Sequence, residues 1–100
     1  MKTTNDYISI IKSHISDLTL RFNISSLYIF GSVARGEQTE NSDIDIYVKM
    51  PAKMYLVIAA KQYLEEILGC NVDVVRDHPS LNSYLRQQIE HDGINVFGAA

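Results

Sequence analysis

The apolar positions of this chain change period several times, and each change marks an element. From Thr4 to about Leu20, Ile8, Ile11, Ile15 and Leu18 recur at intervals of three and four, with Thr3, Thr4 and Asn5 in front as possible caps. That spacing predicts a first amphipathic helix. Ser26 to Phe30 is short, aromatic and β-branched and stops at Gly31, as a buried strand feeding a turn does. Gly31 to Ser42 contains two glycines and only Val33 and Ala34 as apolar residues, which allows one short helical turn and then a loop. Asp43 to Val48 alternates strictly, so a second strand is predicted with Ile44, Ile46 and Val48 facing the core.

Pro51 breaks that strand. Met54, Val57, Ile58, Leu64, Ile67 and Leu68 then mark a second long helix ending at Gly69, a residue suited to a left-handed cap. Asn71 to Val75 reads as a third strand. Pro79 precedes a further helix with Leu81, Leu85 and Ile89 four apart, and Asp92-Gly93 turns the chain into a last short strand at Ile94 to Phe97. The mixture of helices and strands predicts an α/β (α+β) fold, with no repeats, linkers or low-complexity tracts.

Composition narrows the picture. One hundred residues, 46% of them hydrophobic, suit one compact domain over residues 1–100 and are too few for two. Nine Lys+Arg against 12 Asp+Glu leave a net charge of -3, no broad field for wrapping nucleic acid, so direct stable nucleic-acid binding is not expected. No run approaches the roughly 18 apolar residues of a membrane span, and the single Cys70 excludes an intramolecular disulfide, so a cytoplasmic, soluble chain is expected. Cys70 has no histidine near it in sequence to activate it and reads as a small core residue at the start of a strand.

The candidate chemistry sits in Gly31-Ser32-Val33-Ala34-Arg35-Gly36 and, after a polar loop, Ser42-Asp43-Ile44-Asp45. Residues two apart in a strand share a face, so Asp43 and Asp45 lie about 6.6 Å apart at Cα with carboxylates able to converge. Two anions turned away from the core make poor packing but good oxygen ligands for Mg²⁺. Gly31 lets backbone approach a ligand, and Ser32 opens a turn whose free N–H groups and hydroxyl suit a triphosphate. A third carboxylate is available in Asp73, which alternation directs away from Val72 and Val74; buried between valines, it would need a compensating cation.

Gly31-Ser32, Ala34-Arg35-Gly36 and Ser42-Asp43-Ile44-Asp45 resemble the GSxARG…SDxD signature of the DNA polymerase β-like nucleotidyltransferases. The short chain is most similar to the minimal (MNT) branch, which includes antitoxins of HEPN/MNT toxin–antitoxin pairs, and the strand around Asp73 and the helix from Leu81 to Ile89 fall where that branch has them. The resemblance implies a small mixed sheet flanked by helices. It also implies that Ser32, with Gly31, contacts the triphosphate of ATP, that Asp43 and Asp45 bind two Mg²⁺ ions, and that Asp73 is the third carboxylate. The implied reaction transfers AMP to a protein hydroxyl, a tyrosine of a HEPN-domain toxin.

Other residues carry two readings. Arg35 either reaches a phosphate or forms an ion pair holding the loop onto the acidic strand. Tyr47, on the face of the aspartates, either stacks on a base or covers the sheet edge, and covering is the simpler reading. Glu37 and Glu40 read as solvated. His14, His78 and His91 lack zinc spacing and read as surface or boundary residues. Arg76 reads as a surface charge, Arg86 is unassigned, and Tyr7, Tyr28 and Phe30 read as packing. Two other functions remain open: an antitoxin that masks its toxin without turnover, and transfer to a small molecule, which would need an enclosing pocket.

Overall fold

The computed structural model describes residues 2–98. In chain order the elements are α1 (Thr4–Lys12), α2 (Ile15–Phe22), β1 (Ser26–Phe30), α3 (Gly31–Arg35), β2 (Ile44–Lys49), α4 (Met54–Leu68), β3 (Val72–Arg76), α5 (Ser83–Asp92) and β4 (Ile94–Gly98). Every predicted element is present, but the first helix is divided. Thr3 and Asp6 form a capping box at the start of α1. At Ser13 the hydroxyl donates to the Ile10 carbonyl at 2.7 Å, and His14 Nδ1 lies 2.7 Å from the same oxygen. Side chains thus occupy the acceptor that the next helical N–H would use, and the His14 N–H turns to the Ile11 carbonyl at 2.9 Å. The apolar period survives the break: Ile11 and Leu18, on the two sides of it, are both fully buried.

The strands form one mixed sheet in the order β3-β2-β1-β4. β1 runs antiparallel to β2 and β4, while β2 and β3 are parallel and joined through α4. A parallel neighbour requires such a crossover, and the long apolar-faced helix supplies it. As the alternation of β2 predicts, Ile44, Ile46 and Val48 are buried and pack with Leu27, Ile29 and Val72 against Ile11, Leu18, Leu64 and Leu68. This core lies under α1, α2 and α4.

The other face carries α5 and a smaller cluster of Phe30, Tyr47 and Ile89, flanked by Tyr28, Val75, Leu81 and Leu85. The Asn82 side chain caps α5 by accepting from the Tyr84 and Leu85 N–H groups, so Leu81 precedes the helix it was predicted to belong to. β2 begins at Ile44, which leaves Asp43 at the entry to the strand. Cys70 is half-buried against the main core in the link before β3; its thiol, hydrogen-bonded to the Tyr7 hydroxyl, has its pKa raised chiefly by burial. No helix among the described residues is long and apolar enough to cross a membrane.

Candidate active site

The site begins where β1 ends. Gly31 has φ +72°, and a Cβ built on it would overlap Oδ2 of Asp45. Glycine is therefore dictated twice, by the left-handed backbone and by the carboxylate lodged against its Cα. The space that the sequence assigned to a ligand is taken at this point by a side chain of the protein. α3 then makes a short turn closed by Gly36, also left-handed. Val33 of this turn is buried in the main core and anchors it.

Sheet register brings the acids together. Asp45 pairs with Phe30 on one side and with Asp73 on the other. Register partners in a parallel pair project to the same face, and both aspartates line a hollow of about 410 Å³ with Gly31, Ser32 and Arg35. Phe30, Val75 and Leu85 form its apolar wall, and Gln88 of α5 faces it. Half-buried Asp45 has its pKa raised, first by desolvation, then by the charges of Asp73 and Asp43, with Arg35 opposing them.

The expected three-way convergence is incomplete. Asp43 is exposed and lines a neighbouring hollow with Glu40, Ser42 and Asn71, although its charge still reaches Asp45. Among the described residues no group of three or more His, Cys, Asp or Glu is gathered closely enough to hold a metal ion. Asp73 is exposed as well, so the expected penalty of a carboxylate buried between valines does not arise; Val72 and Val74 pack on the main core while Asp73 faces the hollow. The donor chemistry nevertheless suits a hard cation. Asp45 and Asp73 offer oxygen ligands alone and repel each other, and Mg²⁺ characteristically takes one or two carboxylates and completes its shell with water and phosphate.

Arg35 lies on the rim of this hollow and is also an ion-pair residue. Its Nε donates to Glu37 Oε1 at 2.9 Å and its Nη1 to Asp92 Oδ2 at 3.0 Å. The second pair ties α3 to the end of α5, where the sequence suggested the acidic strand, and the first is local. Exposed Glu37 is thus a partner of Arg35, and Glu40 is exposed.

Tyr47 is buried under α5 on a central strand, so it covers no sheet edge and is closed to a stacking base. Its hydroxyl donates to Asp77, and burial together with that carboxylate pushes its pKa up to about 12. Tyr28 packs edge-on against it with ring centroids 5.6 Å apart. Arg86 completes the group, reaching Asp77 at 3.3 Å and the His78 carbonyl at 2.9 Å. Arg76 donates to the Asp77 carbonyl at 2.9 Å. His14 serves the helix break, and exposed His91 pairs with Asp92.

Sequence reasoning missed the contribution of α5. Leu85, Gln88 and Asp92 follow one another at three and four residues, a spacing that aligns them on one helix face, and this was the available signal. The site needs that face: Leu85 and Gln88 line the hollow and Asp92 holds Arg35.

Comparison with known proteins bears on the fold and the family. Residues 9–100 match the model of the family described as polymerase beta, nucleotidyltransferase. A Methanocaldococcus jannaschii chain, named as a candidate protein adenylyltransferase, is 39% identical over 100 residues, covering 96% of this chain and 100% of that one. A solved structure described as a candidate minimal nucleotidyltransferase superimposes with a TM-score of 0.77 at 30% identity, over 93% of this chain and 95% of that one. A chain from a toxin–antitoxin crystal structure with AMP-PNP gives a TM-score of 0.74 at 29% identity, over 92% of this chain and 73% of that one. The fold and the match over residues 9–100 place the chain in the polymerase beta nucleotidyltransferase family, in its minimal branch.

Proposed function

We propose that this protein is a cytoplasmic antitoxin that transfers AMP from ATP to a tyrosine hydroxyl of a HEPN-domain toxin and thereby silences it. The observation that carries this reading is the Asp45–Asp73 pair sharing one hollow with Gly31 and Ser32. Support for the acceptor and the partner comes from the adenylyltransferase name of the archaeal relative and from the toxin–antitoxin structure with AMP-PNP.

In the proposed reaction the acceptor oxygen attacks the α-phosphorus of ATP. A new P–O bond forms, the bond to the bridging α–β oxygen breaks, and pyrophosphate leaves. The Ser32 hydroxyl and the N–H groups of its turn hold the triphosphate, with Arg35 at the rim adding positive charge. Asp45 and Asp73, with Asp43 beside them, would hold Mg²⁺. When bound, that ion neutralises phosphate charge and acidifies a coordinated hydroxyl. Asp73, the more exposed of the pair, accepts the proton of the acceptor hydroxyl at its carboxylate. The apolar wall of Phe30, Val75 and Leu85 limits water near the reacting phosphorus.

The test is incubation of the chain with α-labelled ATP, MgCl₂ and a HEPN-domain toxin as the acceptor. Label on a tyrosine of that protein, lost with Asp45→Asn or Asp73→Asn, is the expected result. A stable complex that never acquires label would leave a masking antitoxin instead.

A further inference from the structure

We infer that the hollow between the start of α4 and the end of β3 docks the acceptor polypeptide, through a segment that is apolar with acidic flanks around the tyrosine. The inference rests on the protein-adenylylation reading above and adds to it how the acceptor is recognised.

This hollow, about 480 Å³, is larger than the one holding the aspartates. Half-buried Val57, Val74 and Leu81 supply its apolar floor, and exposed Met54 stands beside it with Lys53, Arg76 and His78. The adjoining turns of α4 expose apolar surface that the fold does not use: Met54 is 73% exposed, Tyr55 69% and Ile58 49%. Large apolar side chains grouped on a surface and rimmed by polar ones mark a protein contact.

Two further observations select the occupant. First, the hollow adjoins the candidate active site, since Val75 lines both. Asp73 and Arg76 are three residues apart on the edge strand β3, about 10 Å of extended chain; alternation turns their side chains to opposite faces, and a segment laid along this open edge passes both. Second, the charge is segregated. The chain is acidic overall at -3, yet Lys53 and Arg76 meet at one end of β3, where the neighbouring Asp77 is taken up by Tyr47 and Arg86, while Asp45 and Asp73 line the other hollow. Among the described residues, no carboxylate lies within ion-pair distance of Lys53 or Arg76. An apolar floor inside a cationic rim selects an apolar, acidic-flanked peptide, and a nucleic acid would leave that floor unfilled.

The experiment uses two short fluorescein-labelled synthetic peptides, each with one tyrosine and adjacent leucines, one flanked by glutamates and the other by lysines. Fluorescence anisotropy against the wild-type chain and the Met54→Asp/Arg76→Glu variant reads their binding. The glutamate peptide should bind saturably, with affinity falling roughly tenfold or more for the lysine peptide and for the variant, while the variant keeps its affinity for ATP. Equal binding of both peptides, indifference to the double substitution, or displacement by a short oligouridine would overturn the docking assignment. Transfer of label from α-labelled ATP to the peptide is scored separately. A peptide bound as described, together with a HEPN-domain toxin that never acquires label, would leave the docking surface standing and remove the adenylylation reading.

Discussion

On the α4 side of the sheet, seventeen buried residues of the described chain form one apolar core, against three on the α5 side, so the two faces are held by different forces. The large core is almost wholly apolar, its Tyr7 hydroxyl meeting the Cys70 thiol, and derives its stability from area removed from water. The α5 face is thin, and hydrogen bonds fasten it: Tyr47 and Arg86 converge on Asp77, and Arg35 joins α3 to Asp92. Polar groups left near water on that side are the ones available for chemistry. The comparison teaches that this small fold keeps stability and function on opposite faces of the same strands, with Ile44 and Ile46 pointing to one and Asp45 to the other.

The contrast can be broken most forcefully at Ile46, which is fully buried. Ile46→Ala should lower unfolding free energy by about 2–5 kcal/mol in urea titrations, while transfer per folded molecule changes little. A loss below about 1 kcal/mol would mean that the core is not what holds the sheet.

Asp45→Asn should do the reverse. Transfer of label should fall by about 10²-fold or more, while the melting temperature rises. The sign follows from its raised pKa: the folded chain holds the Asp45 proton more tightly than the unfolded chain, so ionised Asp45 destabilises the fold. That destabilisation is absent below the unfolded value near 3.8 and develops as pH rises through the higher folded value. Thermal melts should therefore show the variant's advantage at neutral pH and none in strong acid.

Tyr47→Phe sharpens the view of the α5 face. It removes the hydrogen bond to Asp77 and should cost about 0.5–1.5 kcal/mol, seen in chemical denaturation, with smaller consequences for transfer. Ser32→Ala should have the smallest effect on folding, within about 0.5 kcal/mol, and should raise the KM for ATP several-fold in steady-state kinetics.

Periodic segments were legible because burial on one face imposes their pattern. The alternation of β2 assigned Ile44, Ile46 and Val48 correctly, and the glycine after Phe30 ended β1 where predicted. The break at Ser13-His14 was not legible, since apolar spacing continues through it and only local hydrogen bonding interrupts the helix. The carboxylates were legible as a set, but their grouping depends on register: β2 and β3 pair Asp45 with Asp73, while Asp43 falls before the strand begins. Arg35 and Tyr47 were ambiguous because their partners, Asp92 and Asp77, are distant in sequence and are brought near by the packing of α5.

The interlock between Gly31 and Asp45 also constrains how this sequence can drift over generations. A side chain gained at position 31 would have to displace the Asp45 carboxylate as well as strain a left-handed backbone, and shortening position 45 alone leaves a void against the turn. The two positions, fourteen residues apart, are therefore expected to change together. A lineage that loses the glycine should be found to have abandoned the acid as well, and its catalysis with it.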